Sequence, residues 1–241
     1  MTVYNNFPTP TAETTAAVPS RAAGDLSAIV TPVTGGNMWA AREGSYFVCT
    51  NPTLATGIAG HAAPVVADTD TKPLLALFNG TAYHVIPDYL FLEVTAAGTA
   101  GTIQYTTIYI DNKGSAASTS GGTAITAFNA TRSTGNVLST TGLTLRFGAA
   151  TATMSNSVKV GQQIVREVIP VVQDTVTMKF GGPNSGAHSF LTTAGTATNH
   201  LVQHFAPLDI APGGNLNISQ IRPSQSAAAS YQFEFGFWLR P

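Results

Sequence analysis

The chain has 241 residues, eleven Lys and Arg against twelve Asp and Glu, a net charge of −1, and only 10% charged residues, where ordinary globular domains carry about 25%. So few basic side chains argue against a nucleic-acid groove and against a polybasic membrane-surface binder, both of which need clustered cations. A single cysteine, Cys49, excludes an intrachain disulfide framework and any cysteine-rich zinc site.

This length fits one large all-β domain, or a smaller domain with an arm, and a chain of this size buries roughly 70% of its unfolded surface. No stretch approaches eighteen apolar residues, so no membrane span is expected. Residues 1–6 lack the charged and apolar regions of a secretory signal, and none is expected there. A surface rich in Thr, Ser, Ala and Gly suits a protein whose outside touches neighbours in an assembly, since charge is what keeps free molecules apart.

Residues 1–37 carry Pro8, Pro10, Pro19 and Pro32 among Thr and Ala, with few large apolar residues before Leu26. Such a segment does not fold alone, and its prolines favour extended backbone. It reads as an N-terminal arm that orders against something else, and Phe7, Val18, Leu26, Ile29 and Val30 are its candidate interface residues. Residues 38–241 form the predicted domain.

There, short apolar runs alternate with Gly, Pro, Asn and Asp. Strands are expected over 45–50, 74–78 and 82–86, with Asn79-Gly80 as a hairpin signal between the last two. Longer strands follow over 89–95 and 102–111, joined by a glycine turn at 97–101. Residues 115–122 read as a flexible loop, and 124–138 as room for one short helix, weakened by Thr and Gly. Strands are then expected over 143–147, 158–160, 163–169, 175–180, 200–205, 216–221 and 231–239. In the last of these Tyr231, Phe233, Phe235 and Phe237 fall on one side and Gln232, Glu234 and Gly236 on the other, which marks a central, packed strand. Some ten such runs at turn spacing predict a β-sandwich or barrel. The βαβ alternation of a nucleotide-binding fold is missing.

Catalytic and metal motifs are weak throughout. His200 and His204 are four apart, but Leu201 stands where a zincin has glutamate, and half-buried strand histidines are the simpler reading. His61, His84 and His188 stand alone. Residues 182–186 have the wrong spacing for a serine nucleophile elbow, and the glycine-rich 115–122 lacks a P-loop lysine. Asp68, Asp70, Glu93, Asp111, Glu167 and Glu234 are dispersed, and Asp68-Thr69-Asp70 lacks the remainder of a calcium loop. Asn79, Asn129 and Asn217 begin glycosylation-type triplets that read as chance matches, and Cys49 reads as a small buried hydrophobe. No catalytic residue, metal or cofactor is expected.

Residues 44–60 (Gly-Ser-Tyr-Phe-Val-Cys-Thr-Asn-Pro-Thr-Leu-Ala-Thr-Gly-Ile-Ala-Gly) resemble a segment of small virion proteins of tailed bacteriophages, and residues 92–102 are similar to their next hairpin. Ile-Ala-Pro-Gly-Gly-Asn-Leu at 210–216 and the closing Tyr-Gln-Phe-Glu-Phe-Gly-Phe-Trp-Leu-Arg resemble the last two strands of a viral or TNF-like jelly roll. The resemblance implies an all-β, jelly-roll-like antiparallel sandwich with an N-terminal arm. It implies a head decoration, or cement, protein: a homo-oligomer, in that family a trimer, seated on the major capsid protein at the virion surface, with no catalytic residue carried over. A tail or receptor-binding protein recognising glycan, a shell-forming coat protein and a secreted carbohydrate enzyme are the competing readings.

Overall fold

The structure, a computed structural model, describes residues 44–53, 55–61, 69–98, 104–113, 120–130, 142–166, 170–181, 200–221 and 227–240. Within them every regular element is a strand. In chain order these are β1 (Tyr46–Thr50), β2 (Ile58–Ala59), β3 (Leu75–Asn79), β4 (His84–Ala96), β5 (Gln104–Asp111), β6 (Ser120–Ile125), β7 (Ala127–Asn129), β8 (Leu143–Thr151), β9 (Val158–Arg166), β10 (Thr175–Phe180), β11 (His200–Phe205), β12 (Asn215–Ile221) and β13 (Ser230–Arg240). They form a front sheet, β11-β10-β4-β13-β1-β7 with β2 also on β13, and a back sheet, β6-β8-β3-β12-β5-β9.

The connectivity is a long antiparallel hairpin rolled up. β5 pairs with β9, β4 with β10, β3 with β12 and β1 with β13, all antiparallel and nested one pair inside the next. Rolling brings β13 against β4 and β12 against β5, which yields β1-β13-β4-β10 facing β3-β12-β5-β9. That is the eight-strand jelly roll with two Greek keys. β6, β7 and β8 are inserted between β5 and β9, and β11 between β10 and β12; β11 joins β10 in parallel.

Side-chain alternation makes the core. Leu75, Leu77, Ile108, Leu216 and Ile218 from the back sheet meet Leu90, Leu92, Phe235 and Phe237 from the front, each at most 1% exposed. Across the two layers Phe147 stacks on Phe233 with ring centres 4.0 Å apart. As its pattern foretold, β13 lies inside the front sheet, with Tyr231, Phe233, Phe235 and Phe237 buried.

Several expectations are corrected. Asn79-Gly80 makes no hairpin: β3 and β4 lie in different sheets, and β3 is already flanked by β12 and β8. Of the expected turn at 97–101 only residues 97–98 are described, 99–101 lying outside the described residues, and the chain changes sheet between β4 and β5. The expected strands 82–86 and 89–95 are one strand, β4, because Pro87 stands opposite Phe237 beside a register shift, where a proline is tolerated. Likewise 158–160 and 163–169 merge into β9 across a similar shift at Ile108/Tyr109, and residues 167–169 lie outside the described residues. In the described part of the expected loop and short helix, β6 and β7 run through Thr126, β6 on the back-sheet edge and β7 on the front-sheet edge, so that side of the sandwich closes with a strand that changes sheet, while residues 115–119 and 131–138 lie outside the described residues.

Candidate functional site

Amide side chains do much of the joining. β1 covers residues 234–238 of β13 and β2 covers 230–231; between them Asn51 replaces backbone, its Oδ1 accepting from Phe233 N (2.8 Å) and its Nδ2 donating to Tyr231 O (3.3 Å). On the β9/β11 side two glutamines reach across reciprocally: Gln163 Nε2 donates to His204 O (2.7 Å) and Gln203 Nε2 to Ile164 O (3.2 Å). Gly161 makes that approach possible, since a Cβ there would lie 2.7 Å from Phe205 Cδ1.

The two outer faces of the sandwich differ. On the back sheet Ala76, Thr107, Asn217 and Ser219 are at most 1% exposed, because residues 69–73 and 152–156 strap over it. Asn217 Nδ2 donates to Asp70 O (2.7 Å) and Met154 Sδ (3.0 Å), Asn156 N donates to Asp111 Oδ2 (2.9 Å), and Ala152 N to Thr71 O (3.1 Å). The front sheet presents two lines of side chains. Val202, Thr177, Phe91, Glu234 and Thr50 are register neighbours, as are His204, Lys179, Tyr89, Gly236, Val48 and Phe128. Val202 is 41% exposed and Phe128 55%. This face is the candidate interaction surface.

Its centre is fixed by hydrogen bonds. Tyr46 Oη donates to Asp88 Oδ2 (2.8 Å) and Tyr89 Oη to Glu234 Oε1, with Gly236 leaving room beneath both rings. Burial, then the bonded carboxylate, holds the phenol of each tyrosine well above its ordinary value of 10.0. Tyr46 packs against Trp238 with ring centres 6.2 Å apart. These side chains lose little freedom when a partner arrives.

The candidate interface residues Phe7, Val18, Leu26, Ile29 and Val30 lie outside the described residues. So do His188, Asp68, Glu167 and residues 182–186. His200 and His204 share the outer face of β11 but stand about 13 Å apart along a strand, and His200 Nδ1 meets Thr175 Oγ1 at 2.8 Å. His84 Nδ1 meets Asp209 Oδ1 at 2.7 Å, and His61 Nε2 meets Pro73 O at 3.2 Å. Among the described residues no three of His, Cys, Asp and Glu come together to hold a metal ion. The three glycosylation-type asparagines are built into the fold: Asn79 and Asn217 are at most 1% exposed, and Asn129 donates to Gly44 O at 2.6 Å. Cys49 is fully buried, which pushes its thiol up from the ordinary 9.0. Between the sheets a cavity of about 20 Å³, lined in part by Leu92, Gln104, Asp174 and Tyr231, has room for one water.

No protein-family model matches the chain, and no curated protein does. A solved structure described as that of infectious bursal disease virus, Gt strain, aligns at 13% identity and a TM-score of 0.09. The alignment covers 81% of this chain and 39% of that one, so the present chain spans well under half of its length. A likeness this slight carries no argument about fold or role. The fold rests on the strand pairing alone.

Proposed function

We propose that this chain is a structural virion protein that seats on a capsid shell as a decoration, or cement, protein, working as a homo-oligomer through contact surfaces and without catalysis. The observation that carries the reading is the front-sheet outer face: a platform with Phe128 and Val202 exposed on its flanks and a centre rigidified by tyrosine–carboxylate bonds, in a chain with only 10% charged residues. A protein held by neighbours needs little surface charge, and a platform locked before contact loses little entropy on docking. The sequence resemblance to phage virion proteins supports the same class and supplies the expectation of a trimer and of the major capsid protein as partner.

Fold alone does not name a function. Jelly rolls also build virus shells themselves, so the nested pairing favours a coat protein as the second reading. Co-sedimentation separates the two. Added to preformed shells that lack it, a decoration protein binds to a fixed ratio, with weak dependence on salt because few charges are screened. Self-assembly of the purified chain into closed particles would favour the coat reading, and absence of both behaviours would overturn the structural-protein reading.

A further inference from the structure

The long surfaces of the sandwich differ in how much they leave for a partner. The back-sheet face is strapped by its own chain. The β9/β11 side is bridged by glutamines, and β6 is broken by Gly121 and Gly122 at positive φ, which blunts it as a template for an added strand. The front-sheet face carries exposed Phe128 and Val202 on opposite flanks. Buried polar atoms without hydrogen-bond partners do not separate these surfaces, because they occur on the front face (Thr95 Oγ1, His204 Nδ1, Trp238 Nε1), on the back face (Thr107 Oγ1) and on the β9/β11 side (Gln163 Oε1, Gln203 Oε1) alike.

Size argues against a second sheet as the occupant. Six strands make the face roughly 24 Å wide, and the shared rows run about 20 Å along them. Two such faces together bury roughly 1,000 Å², below the ~1,200 Å² at which specific pairs begin. An extended segment fits better, and the described chain that follows residues 1–43 enters the sheet beside this face: Ser45 O accepts from Leu239 N, and Tyr46 is the register partner of Trp238. At about 3.1 Å per residue that segment reaches up to ~130 Å, several times the width of the face.

We propose that residues 1–43 of one copy lie across the front-sheet outer face of a neighbouring copy, placing apolar side chains against Phe128 and Val202. The inference rests on the reading that the chain works as an oligomer, and it names the surface that receives the segment. The full chain can be made with p-benzoylphenylalanine in place of Phe128, and separately of Val202, then mixed as light and isotopically heavy copies and irradiated. Expected are light-to-heavy crosslinks from both positions into residues 1–43. Crosslinks confined to one copy, crosslinks only to residues beyond 43, or none would overturn it. Shell binding without these crosslinks removes this inference alone; crosslinks without shell binding remove the decoration reading alone.

Discussion

Asn79 has no solvent exposure, and its side chain makes five hydrogen bonds. Its Nδ2 donates to the carbonyls of Tyr83, Ile210 and Ala211, and its Oδ1 accepts from the backbone and hydroxyl of Thr81. Two of those carbonyls are more than 130 residues away in sequence, which is why Asn-Gly read locally as a hairpin and its long-range role was illegible. Asn79→Ala is expected to lose about 3 kcal/mol in urea unfolding, since it strands buried carbonyls; a loss under about 1 kcal/mol would contradict the assignment. Titration tests the buried acids and bases. The raised phenols of Tyr46 and Tyr89 and the raised Cys49 thiol favour their protonated forms in the fold. Their contribution is full below the unfolded values of 9.0 and 10.0 and is lost as pH climbs beyond them. His61 runs the other way: burial, and then Lys72, lower its pKa below 6.5, so its contribution is present above 6.5 and lost as pH falls. Stability measured against pH should therefore be flat near neutrality and fall on both sides, with a shallower alkaline fall in Tyr89→Phe. An unchanged alkaline slope in that variant would count against the tyrosine assignment.

Strands were legible where apolar alternation is strong and turn residues bound it. β10 and β11 begin and end where their Val, Phe and Leu spacing places them, and β13 faces inward as its aromatics require. β6 and β7 were missed because Ser-Gly-Gly-Thr-Ala-Ile and Ala-Phe-Asn carry too little apolar signal. Pairing was less legible still, since the outermost rung joins Tyr46 to Trp238 and no local pattern encodes a contact across that separation. Of the candidate face, only the Glu234 side of β13 was foreseen; Tyr89, Phe91, Val202 and Phe128 become neighbours through pairing alone. At this scale Gly161 is the sharpest test. Gly161→Ala pushes a methyl into the buried Phe205 ring and should cost about 1–3 kcal/mol. Phe205→Leu in the same chain should recover part of that loss, as read by the thermal midpoint, because two neighbours in contact are not additive. A fully additive double variant would mean that the two residues do not meet.

For the whole molecule, the nested pairing predicts a sandwich that stands without its first residues, because β1 to β13 close on one another. Deleting residues 1–30 should leave the circular-dichroism signature of a β-protein and a cooperative unfolding transition, while weakening assembly or attachment. Loss of the transition would mean that the segment supplies a core strand. Unchanged assembly would make it only a tail. The decoration reading itself is tested most directly by an electron-microscopy map of the virion whose genome encodes the chain. Expected is density for this jelly roll on the outside of a shell built by another protein, in symmetric clusters on the lattice. Density for it as the continuous shell, on the tail, or nowhere in the particle would contradict that reading.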